Sequence, residues 1–300
     1  MANYSIKDLE HLSGIKAHTL RIWEQRYGIT NPKRTETNIR YYGQDDLKLV
    51  LNVALLKENG HKISKIAKMS KEEVSEIVLE VSEKLSSHTD QIHALTLSMI
   101  DMDEQRFEKI IASNTLKIGF ERTMLNIIYP FLSKIGIMWV TDAINPAQEH
   151  FMSNLIRQKT LVAIDNLYTQ VSDNSKKYML FLPEGELHEL SLLFANLLIR
   201  SRNNRTIYLG QNMPFHDLEV AYDLYKPDYL LTILTSRNQD TSPQEYIDKL
   251  SSQYPETTIL VAGSQIIGED LTFGENVITM GNPNQMITFV EEHTVDLVFK

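Results

Sequence analysis

Lys16-Ala17-His18-Thr19-Leu20-Arg21-Ile22-Trp23-Glu24-Gln25-Arg26-Tyr27 has the spacing of a short helix, with Ala17, Leu20 and Tyr27 on an inner side and Lys16, His18, Thr19, Arg21 and Arg26 pointing outward. Upstream, Ser5 followed three residues later by Asp8 forms a capping box, and Ile6, Leu9 and Leu12 give a first helix one apolar face that Gly14 ends. Two short helices joined by a glycine turn are the helix-turn-helix arrangement, whose second helix enters the major groove of DNA. Downstream, Asn31-Pro32-Lys33-Arg34-Thr35-Glu36-Thr37-Asn38 is turn chemistry beside the strand-like Ile39-Arg40-Tyr41-Tyr42, which reads as a basic wing. The same residues would also suit a small helical bundle with a solvated arginine face.

The opening Tyr4-Ser5-Ile6, the run Leu20 to Tyr27 and Asn38-Ile39-Arg40-Tyr41-Tyr42 occur in order, and together they resemble the winged-helix signature of the MerR family over the first quarter of the chain. The resemblance implies a regulator of double-stranded DNA with Lys16, His18, Thr19, Arg21, Arg26, Arg34, Arg40 and Tyr41 as candidate contacts. Simple members dimerise through a long heptad helix. No such helix is written here, so self-association is expected by another route.

Zero cysteines among 300 residues exclude disulfides, a cysteine nucleophile, zinc fingers, iron–sulfur clusters and thiolate metal sensing. With 42% hydrophobic and 23% charged residues the composition is that of a globular chain of two or three domains. No run approaches the roughly 18 apolar residues of a membrane helix, and the amino terminus lacks a signal-peptide layout, which predicts a cytoplasmic protein without a membrane partner. The net charge of -9 suits a DNA binder only once it is divided. Residues 1–75 hold 13 Lys and Arg against 9 Asp and Glu, whereas the remainder holds 17 against 30. Phosphate contact wants local positive charge, and an acidic body keeps the rest of the chain off the duplex.

The expected architecture is multidomain, α and α/β: a winged helix-turn-helix head over residues 1–73, a helical bundle over 74–172 and a doubly wound five-stranded parallel sheet, Rossmann-like, over 173–300. Asp45 or Asp46 can cap a helix carrying Leu47, Val50, Leu51, Ala54 and Leu55, and Ser70-Lys71-Glu72-Glu73 is the expected hinge out of the head. Val74, Ile77, Val78, Val81 and Leu85 make one helical stripe, and Phe120, Met124, Ile127, Ile128, Phe131 and Ile135 another. Asn145, Pro146 and Gln148 write the start of the last helix, with Glu149 and His150 in its first turn. Five apolar runs follow, at 178–182, 206–209, 229–234, 258–262 and 277–280, alternating with helical segments. Ligands in such sheets sit beyond the carboxyl ends of the strands, which directs attention to the loops after Leu182, Gly210, Leu234 and Gly263.

The first of these loops reads Pro183-Glu184-Gly185-Glu186-Leu187-His188-Glu189-Leu190-Ser191. A neutral imidazole is a good axial metal ligand, and a carboxylate two residues away is placed to receive its other ring proton and fix the tautomer. Here the chain resembles cobalamin-binding modules, whose Asp-x-His-x-x-Gly loop puts a histidine beneath cobalt; Glu186 and His188 match with an acidic exchange, and Ser191 stands where glycine belongs. Trp139, nine residues and then Glu149-His150 resemble the Trp-x9-Glu-His signature of light-responsive adenosylcobalamin-dependent MerR-type repressors, and Tyr208 to Pro214 resembles their second strand and loop. The resemblance implies a repressor and photoreceptor that binds adenosylcobalamin and assembles as a homodimer or higher homo-oligomer. His188 would be the cobalt ligand, and Trp139, Glu149, His150, Glu186, Ser191, Thr232, Gly263 and Ser264 would lie around the cofactor. Thr232 takes the place of the family's serine, and Gly263-Ser264 that of a glycine pair.

Those departures keep open a regulator on the same scaffold that binds no cobalamin and senses another ligand or a protein partner. A cobalamin-dependent methyltransferase is a more distant alternative, against which stands the lack of residues for a separate substrate-activating domain, so no enzyme activity and no catalytic residue is assigned. Taken singly, Trp139 would be a core anchor, His188 a solvated loop residue, and Glu184, Glu186 and Glu189 complements to a helix dipole.

Overall fold

Helices α1 (Ile6–Ser13) and α2 (Ala17–Tyr27) form where the apolar spacing places them, and strands β1 (Lys33–Arg34) and β2 (Arg40–Tyr41) pair antiparallel as a small wing. The computed structural model describes residues 4–13, 15–34, 38, 40–84, 88–140, 144–236, 241–267 and 271–294, with only the backbone at some helical positions. The Ser5–Asp8 box and Gly14 lie outside what it describes. The chain divides into two compact units, Met1–Met152 and Ser153–Lys300.

In the first unit, Leu9, Leu20, Trp23, Tyr42, Val50, Leu56 and Ile66 close one core. Each such side chain removed from water contributes about 1.5–3 kcal/mol. Tyr4 and Tyr42 exchange backbone hydrogen bonds of 2.9 and 2.8 Å, so the wing's far end is pinned to the segment before α1. Asp46, in the first turn of α3 (Gln44–Glu58), accepts the N–H of Gly43 and of Asn31, both at 3.0 Å, which ties that helix start to the loop before the wing. Helix α4 (Ile63–Ile66) adds Ile66 to the core.

Ser70 to Glu73, expected as a hinge, is a reciprocal cap. Ser70 N–H donates to Glu73 at 2.7 Å, Glu73 N–H donates to the Ser70 hydroxyl at 3.1 Å, and α5 (Lys71–Lys84) follows directly. Val74 and Val78 of α5 are buried in the head's own core, so packing runs on through the boundary expected at residue 73. The bundle continues with α6 (Thr89–Ile100), α7 (Glu104–Ile118), α8 (Phe120–Thr123), a wide π turn at Met124–Ile128 and α9 (Tyr129–Val140). Met124, Ile127, Ile128, Phe131 and Ile135 are buried as the stripe requires, and Phe120 is half-buried. Helix α10 (Pro146–Asp165) starts with the expected box: Gln148 N–H to Asn145 Oδ1 and Asn145 N–H to Gln148 Oε1, both 3.1 Å.

The second unit is the parallel sheet. Strands β3 (Lys177–Pro183), β4 (Arg205–Met213), β5 (Tyr229–Ile233), β6 (Thr258–Ala262) and β7 (Val277–Met280) lie in the order β4-β3-β5-β6-β7, all neighbours parallel. Helices α11 (Leu190–Ser201), α12 (Phe215–Tyr225), α13 (Pro243–Gln253) and α14 (Pro283–His293) make the connections and the end. Strand β4 runs past the expected end at Gly210, because Gly210 (φ 80°) and Asn212 (φ 57°) let it bulge and continue. The order reverses between β3 and β5, and the crevice at a topological switch point opens beyond their carboxyl ends. No helix of the described residues is long and apolar enough to cross a membrane.

Candidate functional site

On the head, Arg21, Arg26 and His18 are exposed along α2, and the half-buried Thr19 lies 3.3 Å from His18 Nε2. Lys16 sits one residue before the helix with its ammonium 3.2 Å from Glu10. Arg34 is exposed on β1 and donates to Asn38 Oδ1 at 2.7 Å, and Tyr41 is half-buried. Arg40 differs from the expected outward contact. It turns back to α2, with Nε 3.3 Å from Glu24, and the Tyr42 hydroxyl donates to the same carboxylate at 3.2 Å. Burial first, and then the Glu24 charge, push the Tyr42 hydroxyl up to about 12.

In the second unit the β3 loop turns at Gly185 (φ 83°), whose N–H donates to Asn212 Oδ1 at 2.8 Å, while Asn212 N–H donates to the Glu186 carbonyl at 3.2 Å. This turn puts the Glu186 side chain, 4% exposed, into the crevice. There it accepts the N–H of Thr235 (2.8 Å), of Ser236 and of His188 (3.0 Å), and the Ser236 hydroxyl (3.2 Å). His188 Nδ1 is 2.6 Å from Glu186 Oε1 and 2.9 Å from the Ser236 hydroxyl. Burial alone would raise the Glu186 carboxyl; hydrogen bonds from the His188 ring and from the N–H groups of Ser236, His188 and Thr235 outweigh it and hold the group at about 2. An ionised Glu186 keeps the imidazole proton on Nδ1 and leaves the lone pair on Nε2, the tautomer an axial ligand needs. The His188 side chain is 64% exposed at the mouth.

Thr232, on β5, is fully buried, and its hydroxyl has no hydrogen-bond partner among the described residues. A buried hydroxyl left unmatched costs stability unless a ligand answers it, so it fits a site built to take a polar group from outside. Gly263 (φ 112°) is required by the chain's own close approach, since a Cβ there would strike the Leu234 carbonyl. Ser264 is exposed and donates to the Thr235 carbonyl at 3.0 Å, so its hydroxyl is turned onto the neighbouring loop. Ser191 is half-buried in the first turn of α11. Of the remaining candidates, Trp139 lies on α9 with its side chain outside the described set, and His150 Nδ1 is 2.6 Å from Glu149 on α10.

Sequence reasoning did not single out Thr235 and Ser236, in the loop after β5, or Asn212, on β4, which brace Glu186 and its turn. Glu189, read singly as a complement to a helix dipole, accepts from the Tyr208 hydroxyl at 2.9 Å and from Arg157 Nε at 2.7 Å and so ties α10 to the sheet. A charge at 189 directly after His188 was the only local signal for this tie.

Residues 4–73 match the model of the MerR HTH family regulatory proteins, and residues 91–162 match that of a B12 binding domain. The HTH-type transcriptional repressor CarH of Myxococcus xanthus is 28% identical, over 79% of this chain and 81% of its own. The repressor CarA of the same organism is 25% identical, over 82% of this chain and 80% of its own. The solved monomethylamine corrinoid protein of Methanosarcina barkeri superposes with a TM-score of 0.51 at 12% identity, covering 65% of this chain and 94% of that one, a likeness of fold. Along the chain in order, the head is thus similar to MerR-type DNA-binding domains, the helical module to a B12 binding domain and the switch-point sheet to a corrinoid-protein fold, and over about four-fifths of its length the chain is similar to the CarH and CarA transcriptional repressors.

Proposed function

We propose that this chain is a transcriptional repressor, not an enzyme, whose self-assembly and hold on DNA are set by adenosylcobalamin and by light. The observation that carries the reading is the Glu186–His188 pair at the switch point: a buried, ionised carboxylate holds an exposed imidazole in the tautomer that ligates a metal. When bound, the cofactor would supply a cobalt atom for His188 and a cobalt–carbon bond that light breaks. Glu186 orients the ring and Ser236 and Thr235 orient Glu186, while the unmatched Thr232 hydroxyl is free to answer a polar group of the cofactor's tail. Trp139, Glu149 and His150 are assigned to the same cofactor on the family resemblance, and residues 1–73, 74–172 and 173–300 to reading, covering and binding. A repressor of this kind works in the cytoplasm as a homo-oligomer, in which linked heads gain effective concentration on DNA.

The test is a spectroscopic titration of the purified chain with adenosylcobalamin in the dark, repeated with His188→Ala. The wild type should displace the cofactor's own base and retain colour through gel filtration, and His188→Ala should lose the spectral change. A wild-type chain that leaves the free-cofactor spectrum unchanged and elutes colourless sinks the light-sensor reading and favours a cobalamin-free regulator on the same scaffold.

A further inference from the structure

The reading helix α2 carries an acid whose two partners come from the wing. Glu24 is 16% exposed at its side chain, with Arg40 Nε at 3.3 Å and the Tyr42 hydroxyl at 3.2 Å. Tyr42 is buried in the head's core and joined to Tyr4 through both backbone groups, so β2 is anchored at that end independently of the carboxylate. Arg40 is half-buried, and its cross-strand partner Arg34 is exposed. Drawing the Arg40 guanidinium away to a phosphate would break its ion pair with a largely buried carboxylate, the costly way to part such a pair. Arg34 pays no comparable penalty, since its contact at Asn38 is solvent-exposed.

We propose that Glu24 is a positioning residue of the DNA-binding head: it holds Arg40 beside the anchored Tyr42 and so sets the wing against the reading helix, and the wing's phosphate contact is made by Arg34. This rests on the reading of the chain as a DNA-binding regulator.

The experiment measures binding of the full chain to a mixed-sequence duplex, and to the tightest-binding duplex selected from it, by fluorescence anisotropy across a salt series. Each phosphate contact contributes about 0.9 to the slope of log affinity against log salt. Arg34→Gln should lower the slope by about that amount per head, and adding Arg40→Gln to Arg34→Gln should lower it no further. Glu24→Gln and Arg40→Gln should weaken the selected duplex by similar factors, with the double variant no weaker than either single one, as expected of residues acting as a pair. A slope lowered further when Arg40→Gln is added to Arg34→Gln, or tighter binding by Glu24→Gln because Arg40 has been released, overturns the proposal. Thermal melts of the same variants without DNA decide it independently: strictly additive changes in Glu24→Gln and Arg40→Gln mean there is no clamp. Should either variant fail to fold, Tyr42→Phe removes the hydroxyl that donates to Glu24 and keeps the core filled; an unchanged melt and unchanged affinity would then overturn the proposal. A wild-type chain that binds no duplex refutes the regulator reading instead, so the two failures are distinct.

Discussion

Glu186 carries its charge in a place where burial works against it, and five donors from three residues keep it ionised. With the folded group at about 2 and the ordinary value at 4.5, the folded state binds fewer protons than the unfolded state between those values. Its contribution is therefore complete above about pH 4.5 and is lost as the pH falls towards 2, by an amount on the order of 3 kcal/mol. Urea midpoints of the cofactor-free chain across that window should fall more steeply for the wild type than for Glu186→Gln, and coincident profiles would show that the carboxylate is not held as described. The Glu186–His188 contact was legible because the two residues are two positions apart. Thr235 and Ser236 were not, because they stand 49 and 50 residues downstream of Glu186 and only the placing of β5 beside β3 brings them in. The partner of Arg40 was not legible for a related reason. In the sequence Arg40 is one more basic wing residue, and the side to which it turns depends on strand register and on Glu24, which lies on another element.

At the scale of elements, the apolar runs located all five strands to within a few residues; the central β3, β5 and β6 are buried on both faces and so read as uninterrupted runs. The start of α5 was mistaken for a hinge although Ser70-x-x-Glu73 is the same signature read correctly at Asn145; polarity was weighed there ahead of capping chemistry. Ser70→Ala should cost about 1 kcal/mol in the first unit, the usual loss for an N-cap, measured by thermal or urea unfolding. A null effect would restore the hinge. The loop after β6 separates two neighbouring residues in the same way. Gly263→Ala combines a collision with the Leu234 backbone and a left-handed φ of 112°, and should destabilise the sheet unit by more than about 2 kcal/mol. Ser264→Gly removes one exposed hydrogen bond and should stay within about 1 kcal/mol. Equal effects on the urea midpoint would mean that the close approach at Gly263 is not present in solution.

For the whole molecule, the charge division decides how DNA binding must work. The basic excess is confined to residues 1–75 and is small, and the acidic excess of the remainder opposes approach of the duplex. One head with a few exposed cations, Arg21, Arg26 and Arg34 among them, releases few counterions, so a single copy should bind weakly and lose its hold at physiological salt. Several heads held together release more, and each later contact is made at the effective concentration set by the linkage. If the sensor module controls assembly, the dark, adenosylcobalamin-loaded chain should be larger by light scattering than the illuminated chain. Its salt slope on a selected duplex should also be steeper, by about 0.9 for every additional phosphate contact, so that mass and slope change together. A slope that stays constant while the mass changes would place the switch outside the DNA-binding surface. Equal mass and equal slope in both states would mean that light and cofactor do not act through assembly, leaving Arg21, Arg26 and Arg34 as the contacts of a regulator governed by some other signal.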